Sequence, residues 1–157
     1  MSDLSPSQEN YLKEVYIGVS RSGYAKMTRI AKALGVKKSS VNAAMNLLSE
    51  RELINYAPYN QVTMTERGKE IAEKLLLKYE TMIGFFTEIL KLEQAEAIEN
   101  SCRMEHIMSE ELFKRITMFY EFTKKLHADN PKYAKQFDDF LKSSGKISDK
   151  RPKDLLM

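Results

Sequence analysis

The chain has 157 residues, with 25 lysines and arginines, 22 aspartates and glutamates, and a formal net charge of +3. This length suffices for one sizeable domain or two small ones, and a hydrophobic fraction of 43% argues against a disordered chain. Because no apolar run approaches the roughly 18 residues of a membrane span, and the start lacks the regions of a secretory signal, we expect a cytoplasmic protein with no membrane contact.

The first predicted elements are a helix and a helix-turn-helix. Ser5 or Ser7 provides an N-cap for the first helix. From Met27 to Leu48, apolar residues follow two helical stripes, and Gly35 allows the chain to reverse between them. This pattern is typical of a helix-turn-helix, although any pair of helices joined at a glycine shows the same stripes.

Basic side chains are concentrated on this predicted helix-turn-helix. Between Arg21 and Arg51 there are seven basic residues and one acidic residue, Glu50. The solvent-facing positions of the second helix are short, polar or basic, which suits phosphate contacts and the floor of a DNA major groove. The residues expected to contact DNA are Arg29, Lys37, Lys38, Ser39, Ser40, Asn42, Asn46, Arg51 and Tyr59.

A hairpin follows in the position of a wing. Residues 53–56 and 62–65 are short runs rich in β-branched and aromatic side chains, and the loop between them carries Tyr59. In a wing, Tyr59 would donate a hydrogen bond to the DNA backbone. The alternative is a hairpin that only covers the core.

The second half of the chain is predicted to be helical. Thr65 is a sound N-cap for a long helix, and further helices are expected at about 93–106, from Ser109 onwards, and over 132–141. Their aromatic and aliphatic surface exceeds what one thin helical layer can bury, which predicts a homodimer.

The resulting fold class is mainly α, with an N-terminal winged helix-turn-helix followed by a helical dimerisation domain. The predicted domains are a DNA-binding domain over 1–72, a metal-binding and dimerisation domain over 73–142, and a mobile tail over 143–157.

One group of side chains points to chemistry. Cys102, Glu105 and His106 are spaced i, i+3 and i+4, so a single helix would present them on one face to one ion. A thiolate, a carboxylate and an imidazole suit a transition metal better than Mg2+ or Ca2+. A cysteine on such a helix is more often part of the core, so spacing alone leaves both interpretations open.

The two halves together resemble the metal-dependent repressors typified by the diphtheria toxin repressor and the manganese transport regulator. The resemblance runs from about Leu4 to Phe122 and rests on IA-x-x-L-x-V-x-x-SSV followed, after a long helix, by C-x-x-EH-x-x-S. It implies a short member without the SH3-like domain, which binds operator DNA as a homodimer and represses metal-uptake genes when metal is bound.

The resemblance also implies a ligand set. Cys102, Glu105 and His106 match three ligands of the iron-responsive branch, and Asn10 stands where the family has Met or Asp. Lys13 occupies the position of an additional glutamate ligand of the manganese branch, which argues against a site of that type. The implied cofactor is Fe2+ or Mn2+, with Co2+, Ni2+ or Zn2+ as alternatives. We expect the family's ancillary site to be lost, because its ligand positions hold Tyr79, Ile83 and Ile98, with a substitute oxygen ligand from Glu80 or Glu9 as the alternative.

Two other hypotheses remain at this point. In the first, the chain is a DNA-binding regulator that responds to a redox or small-molecule signal, with Cys102 as a core thiol or a redox switch. Alternatively it is an enzyme with Cys102 as nucleophile and His106 as base, but the sequence offers no orienting third group and no glycine-rich oxyanion loop. We therefore expect a regulator and not an enzyme.

Overall fold

A computed structural model describes residues 4–56 and 61–143. The described helices are α1 (Pro6–Ser22), α2 (Met27–Leu34), α3 (Lys38–Glu50), α4 (Glu66–Gly84), α5 (Gln94–Met104), α6 (Glu110–Asp129) and α7 (Pro131–Ser143). Two short strands, β1 (Ile54–Asn55) and β2 (Thr63–Met64), form one antiparallel pair. The predicted mainly α fold with a hairpin after the helix-turn-helix is confirmed. Tyr59 and nearly all of the predicted tail lie outside the described residues.

The N-terminal half packs α1, α2, α3 and the hairpin around one apolar core. α2 and α3 form the predicted helix-turn-helix, and Gly35 at the turn adopts the left-handed conformation with φ 64°. Ser5 caps α1 by accepting from the Gln8 backbone N–H, and the Gln8 side chain accepts from the Ser5 N–H in return. The core is filled by Leu12, Val15, Ile30, Val41, Met45, Leu48, Leu53 and Val62.

The C-terminal half has a second, smaller core between α4, α5 and α6. Its buried residues are Met82, Phe86, Ala97 and Met108. The predicted long helix changes character after Gly84, where α4 continues as one π-helical turn, Phe85–Ile89. On α6, Phe119 and Phe122 remain 53% and 63% exposed, so this half presents the apolar surface from which the sequence predicts dimerisation.

Helix α4 joins the two halves. Ala72 on α4 belongs to the first core, whereas Met82, further along the helix, belongs to the second. The boundary expected between residues 72 and 73 therefore falls inside a continuous helix, and it stays a prediction. In residues 4–56 and 61–143, no helix is long and apolar enough to cross a membrane.

The start of α4 is anchored to the hairpin by Thr65. Its hydroxyl accepts a hydrogen bond from the Gly68 N–H at 3.0 Å and donates one to the Glu52 carbonyl at 2.8 Å. We expect Thr65→Ala to lower the free energy of unfolding by about 1–2 kcal/mol, the usual effect of losing an N-cap, in urea denaturation. Thr65→Ser keeps the hydroxyl and is the control; an equal loss in both variants would contradict this role.

Candidate metal centre and DNA-contacting surface

The predicted ligands lie where α5 ends. The sequence places Cys102, Glu105 and His106 on one helix that extends to residue 106, and this boundary is wrong because α5 ends at Met104. Glu105 is the C-cap and keeps helical dihedral angles, but His106 lies in the following turn. The turn leads to Ser109, which is the N-cap of α6.

Helix α1 faces this turn and contacts it with two side chains. The Lys13 ammonium donates to Glu105 Oε1, and these side chains are only 8% and 1% exposed. One helical turn earlier, Glu9 Oε2 lies 2.6 Å from His106 Nδ1. Two buried or nearly buried polar contacts therefore join the DNA-binding half to the segment after α5.

The inner face of this cluster carries two buried acceptor atoms without hydrogen-bond partners, Glu105 Oε2 and His106 Nε2. His106 Nε2 lies 3.2 Å from Glu105 Oε1. When the Nδ1–H of His106 donates to Glu9, the Nε2 lone pair faces a carboxylate oxygen, and two acceptors repel each other unless a cation or proton lies between them.

This arrangement fits a metal ion. A histidine that ligates a metal commonly donates its other ring N–H to a carboxylate, as the Nδ1 of His106 can do toward Glu9. The half-buried thiol of Cys102 supplies a third donor type. The described residues nevertheless contain no group of three His, Cys, Asp or Glu side chains already converged on one point. The ligand assignment of Cys102, Glu105 and His106 therefore stays a prediction.

Asn10, the fourth predicted ligand, is half-buried on α1. Its neighbour Glu9 makes the contact with His106 instead. Sequence reasoning missed Lys13 as a member of the cluster. The sequence did contain a signal for this contact, because Lys13 is a basic residue at a position where the manganese branch of the family has a glutamate ligand.

Tyr79 on α4 also belongs to the cluster, where it contacts Lys13 and Cys102. The Lys13 ammonium lies 4.7 Å from the centre of its ring. Burial raises the pKa of Tyr79 to about 12, helped by a hydrogen bond with Cys102 and by the charge of Glu105. The phenol therefore stays protonated at neutral pH and takes part as a neutral hydrogen-bonding group.

A cleft of about 880 Å³ opens beside the cluster. Glu9, Glu105 and His106 line one part of it, and Arg51 at the end of α3 lines another. The cluster is therefore accessible from solvent although Glu105 itself is 4% exposed.

The predicted DNA-contacting surface is formed by α3 and its neighbours. Nearly all of its predicted residues are described, and all of these are exposed: Arg29, Lys37, Lys38, Ser39, Ser40, Asn42, Asn46 and Arg51. Asn42 is held in place, because its Oδ1 accepts a hydrogen bond from the hydroxyl of Tyr56, which directly follows β1. These polar and basic side chains are therefore available to a partner, and their contacts with DNA stay predictions.

The fold and this surface define a class, the winged-helix transcriptional regulators with a helical second domain. Residues 3–62 match the family description "Iron dependent repressor, N-terminal DNA binding domain", and residues 65–134 match "Iron dependent repressor, metal binding and dimerisation domain". The chain belongs to the iron-dependent repressor family. It is a metal-responsive transcriptional regulator with a DNA-binding domain and a metal-binding and dimerisation domain.

Relatives support the same family. An uncharacterized HTH-type transcriptional regulator of Methanocaldococcus jannaschii is 36% identical over 119 residues, which are 75% of this chain and 95% of the relative. The crystal structure of T. acidophilum IdeR has a TM-score of 0.65 at 24% identity, over 77% of this chain and 56% of that one. For the manganese regulator SloR the TM-score is 0.67 at 23% identity, over 76% and 55%. The chain spans about half the length of these two solved structures, and at such identities they show a shared fold.

Proposed function

We propose that this regulator acts in the cytoplasm as a homodimer that binds operator DNA and represses metal-ion uptake genes when Fe2+ or Mn2+ is bound. The observation that carries the proposal is the pair of buried, unpartnered acceptors, Glu105 Oε2 and His106 Nε2, at the junction of α1 with the segment after α5. Buried polar atoms rarely lack partners, and a cation would satisfy both of these.

Each side chain of the cluster has a distinct role in this proposal. Cys102, Glu105 and His106 hold the ion, Asn10 closes the site from α1, and Glu9 fixes the orientation of His106 through Nδ1. A bound divalent ion supplies positive charge between these donors. Helix α1 belongs to the DNA-binding half. A metal ion that holds α1 against the segment after α5 therefore favours one arrangement of the two copies of α3 in the dimer.

The DNA contacts divide by chemistry. In this proposal, phosphates are neutralised by Lys37, Lys38 and Arg51. Ser39, Ser40, Asn42 and Asn46 are the candidates for contacts with base edges.

The direct test measures the affinity of the full chain for its own upstream DNA. It is measured in chelator and after addition of Fe2+, Mn2+, Co2+ or Zn2+. We expect one metal to raise the affinity by a factor within the roughly 5–150-fold range that is usual for allosteric coupling. Equal affinity in chelator and in every metal would contradict the proposed metal response.

A second prediction concerns Lys38 at the start of α3. We expect Lys38→Gln to weaken binding to all DNA sequences and to reduce the slope of log affinity against log salt by about one, since one phosphate contact is lost. Lys132→Gln on α7 is the matched control, because Lys132 is also exposed but far along the chain from the helix-turn-helix. An unchanged salt slope in Lys38→Gln would show that α3 is oriented differently.

A regulator that responds to another signal is the second candidate. It is favoured by the Lys13–Glu105 and Glu9–His106 contacts, which already join the two halves without a metal. Tight operator binding in chelator, lost when another signal is applied, would support this candidate.

A further inference from the structure

The cluster contains its own cation. Lys13 reaches Glu105 from a position 92 residues earlier in the chain, and its ammonium is bound to the carboxylate that the metal site also uses. Both side chains are almost completely buried. This contact is therefore not a mobile surface ion pair but a fixed part of the interior.

The position of the ammonium brings it into conflict with a metal. Glu105 Oε1, which accepts from Lys13, is the same oxygen that lies 3.2 Å from His106 Nε2. A divalent cation ligated by Glu105 and His106 would lie within a few ångströms of the ammonium. Like charges at such separations in a buried site repel strongly.

The ammonium is also supported from a second side. Its nitrogen lies 4.7 Å from the centre of the Tyr79 ring, a distance at which a cation is attracted to an aromatic face. Tyr79 thus stabilises Lys13 at the position where it neutralises Glu105.

We propose that Lys13 is an affinity-setting residue, whose ammonium competes with the divalent metal for Glu105 and so raises the metal concentration at which this regulator responds. The inference rests on the proposed metal site at Cys102, Glu105 and His106. Lys13 acts through Glu105 and does not itself ligate the metal.

The test is an equilibrium titration of the full chain with Co2+ alone, followed by the absorption bands of thiolate-bound cobalt. We expect Lys13→Met to bind Co2+ at least about tenfold more tightly than the wild type, because the repulsion between two cations a few ångströms apart is lost. Lys13→Arg keeps a cation beside Glu105 and is the matched control, with an affinity close to that of the wild type.

A second variant covers the case in which Lys13→Met does not fold because it leaves the Glu105 carboxylate buried and unpaired. Tyr79→Leu removes the aromatic ring but keeps every charge. Because it also removes the hydroxyl that forms a hydrogen bond with Cys102, Tyr79→Phe, which loses the hydroxyl but keeps the ring, is its control. We expect Tyr79→Leu to bind Co2+ about 2–5-fold more tightly than Tyr79→Phe, which corresponds to the loss of one cation–π contact.

The outcomes separate this inference from the proposed function. Equal Co2+ affinity in the wild type, Lys13→Met and Lys13→Arg would overturn the role of Lys13 and leave the metal site intact. Saturable binding in Lys13→Met but not in the wild type would support the role of Lys13 and contradict the proposed metal response. If none of the folded proteins shows the absorption bands of thiolate-bound Co2+, both the role of Lys13 and the proposed metal site are overturned. If Lys13→Met does not fold, a Co2+ affinity in Tyr79→Leu no higher than in Tyr79→Phe would overturn the inference.

Discussion

His106→Ala is expected to abolish the metal-dependent rise in DNA affinity. The substitution removes the Nε2 acceptor that faces Glu105 and also leaves Glu9 without its partner on the segment after α5. Metal affinity should fall by at least about 100-fold, because a direct donor is lost and not only a group that orients one. The measurement is operator binding at increasing metal concentration, together with the Co2+ absorption titration.

The chain offers a matched control for this experiment, since it has two histidines. His127 is half-buried near the end of α6, outside the cluster. We expect His127→Ala to keep the metal-dependent rise in DNA affinity. If His106→Ala also keeps it, His106 is not a ligand, and the signal acts elsewhere on the chain.

Gly68→Ala is expected to cause the largest loss of stability. A Cβ at Gly68 would overlap the carbonyl oxygen of Leu53 and lie 2.8 Å from its carbonyl carbon, so that backbone would meet backbone. The start of α4 would have to move away from the hairpin. We expect a loss of about 3 kcal/mol in the free energy of unfolding, the upper end of overpacking effects, and a Tm lower by roughly 10 °C.

Helix propensity alone predicts the opposite result for this substitution. Alanine is favoured over glycine inside a helix by about 1 kcal/mol, so the steric term must exceed that gain. Lys69→Ala, at the next and exposed position of α4, is the control and should change stability by no more than about 0.5 kcal/mol. A Gly68→Ala protein as stable as the control would show that α4 packs less closely against Leu53.

Features that depend on neighbouring residues could be predicted from the sequence. Gly35 reverses the chain, Ser5 and Thr65 cap helices, and the apolar stripes of α2 and α3 face one core, as expected from their spacing. The close packing at Gly84, where the π-helical turn begins, could not be predicted in this way. A Cβ at position 84 would lie 2.9 Å from the ring of Tyr120, which comes 36 positions later in the chain.

The sequence by itself determined the order of the elements, the helix-turn-helix with its basic face, and the presence of a thiol, a carboxylate and an imidazole near the end of α5. These follow from periodicity and local chemistry. Only the tertiary structure decided which residues of α1 meet that segment: Glu9 contacts His106 and Lys13 contacts Glu105. These partners are 97 and 92 residues apart, and they meet because α4 joins two cores that place α1 beside the turn after α5. The spacing of residues along the chain contains no information about such a meeting.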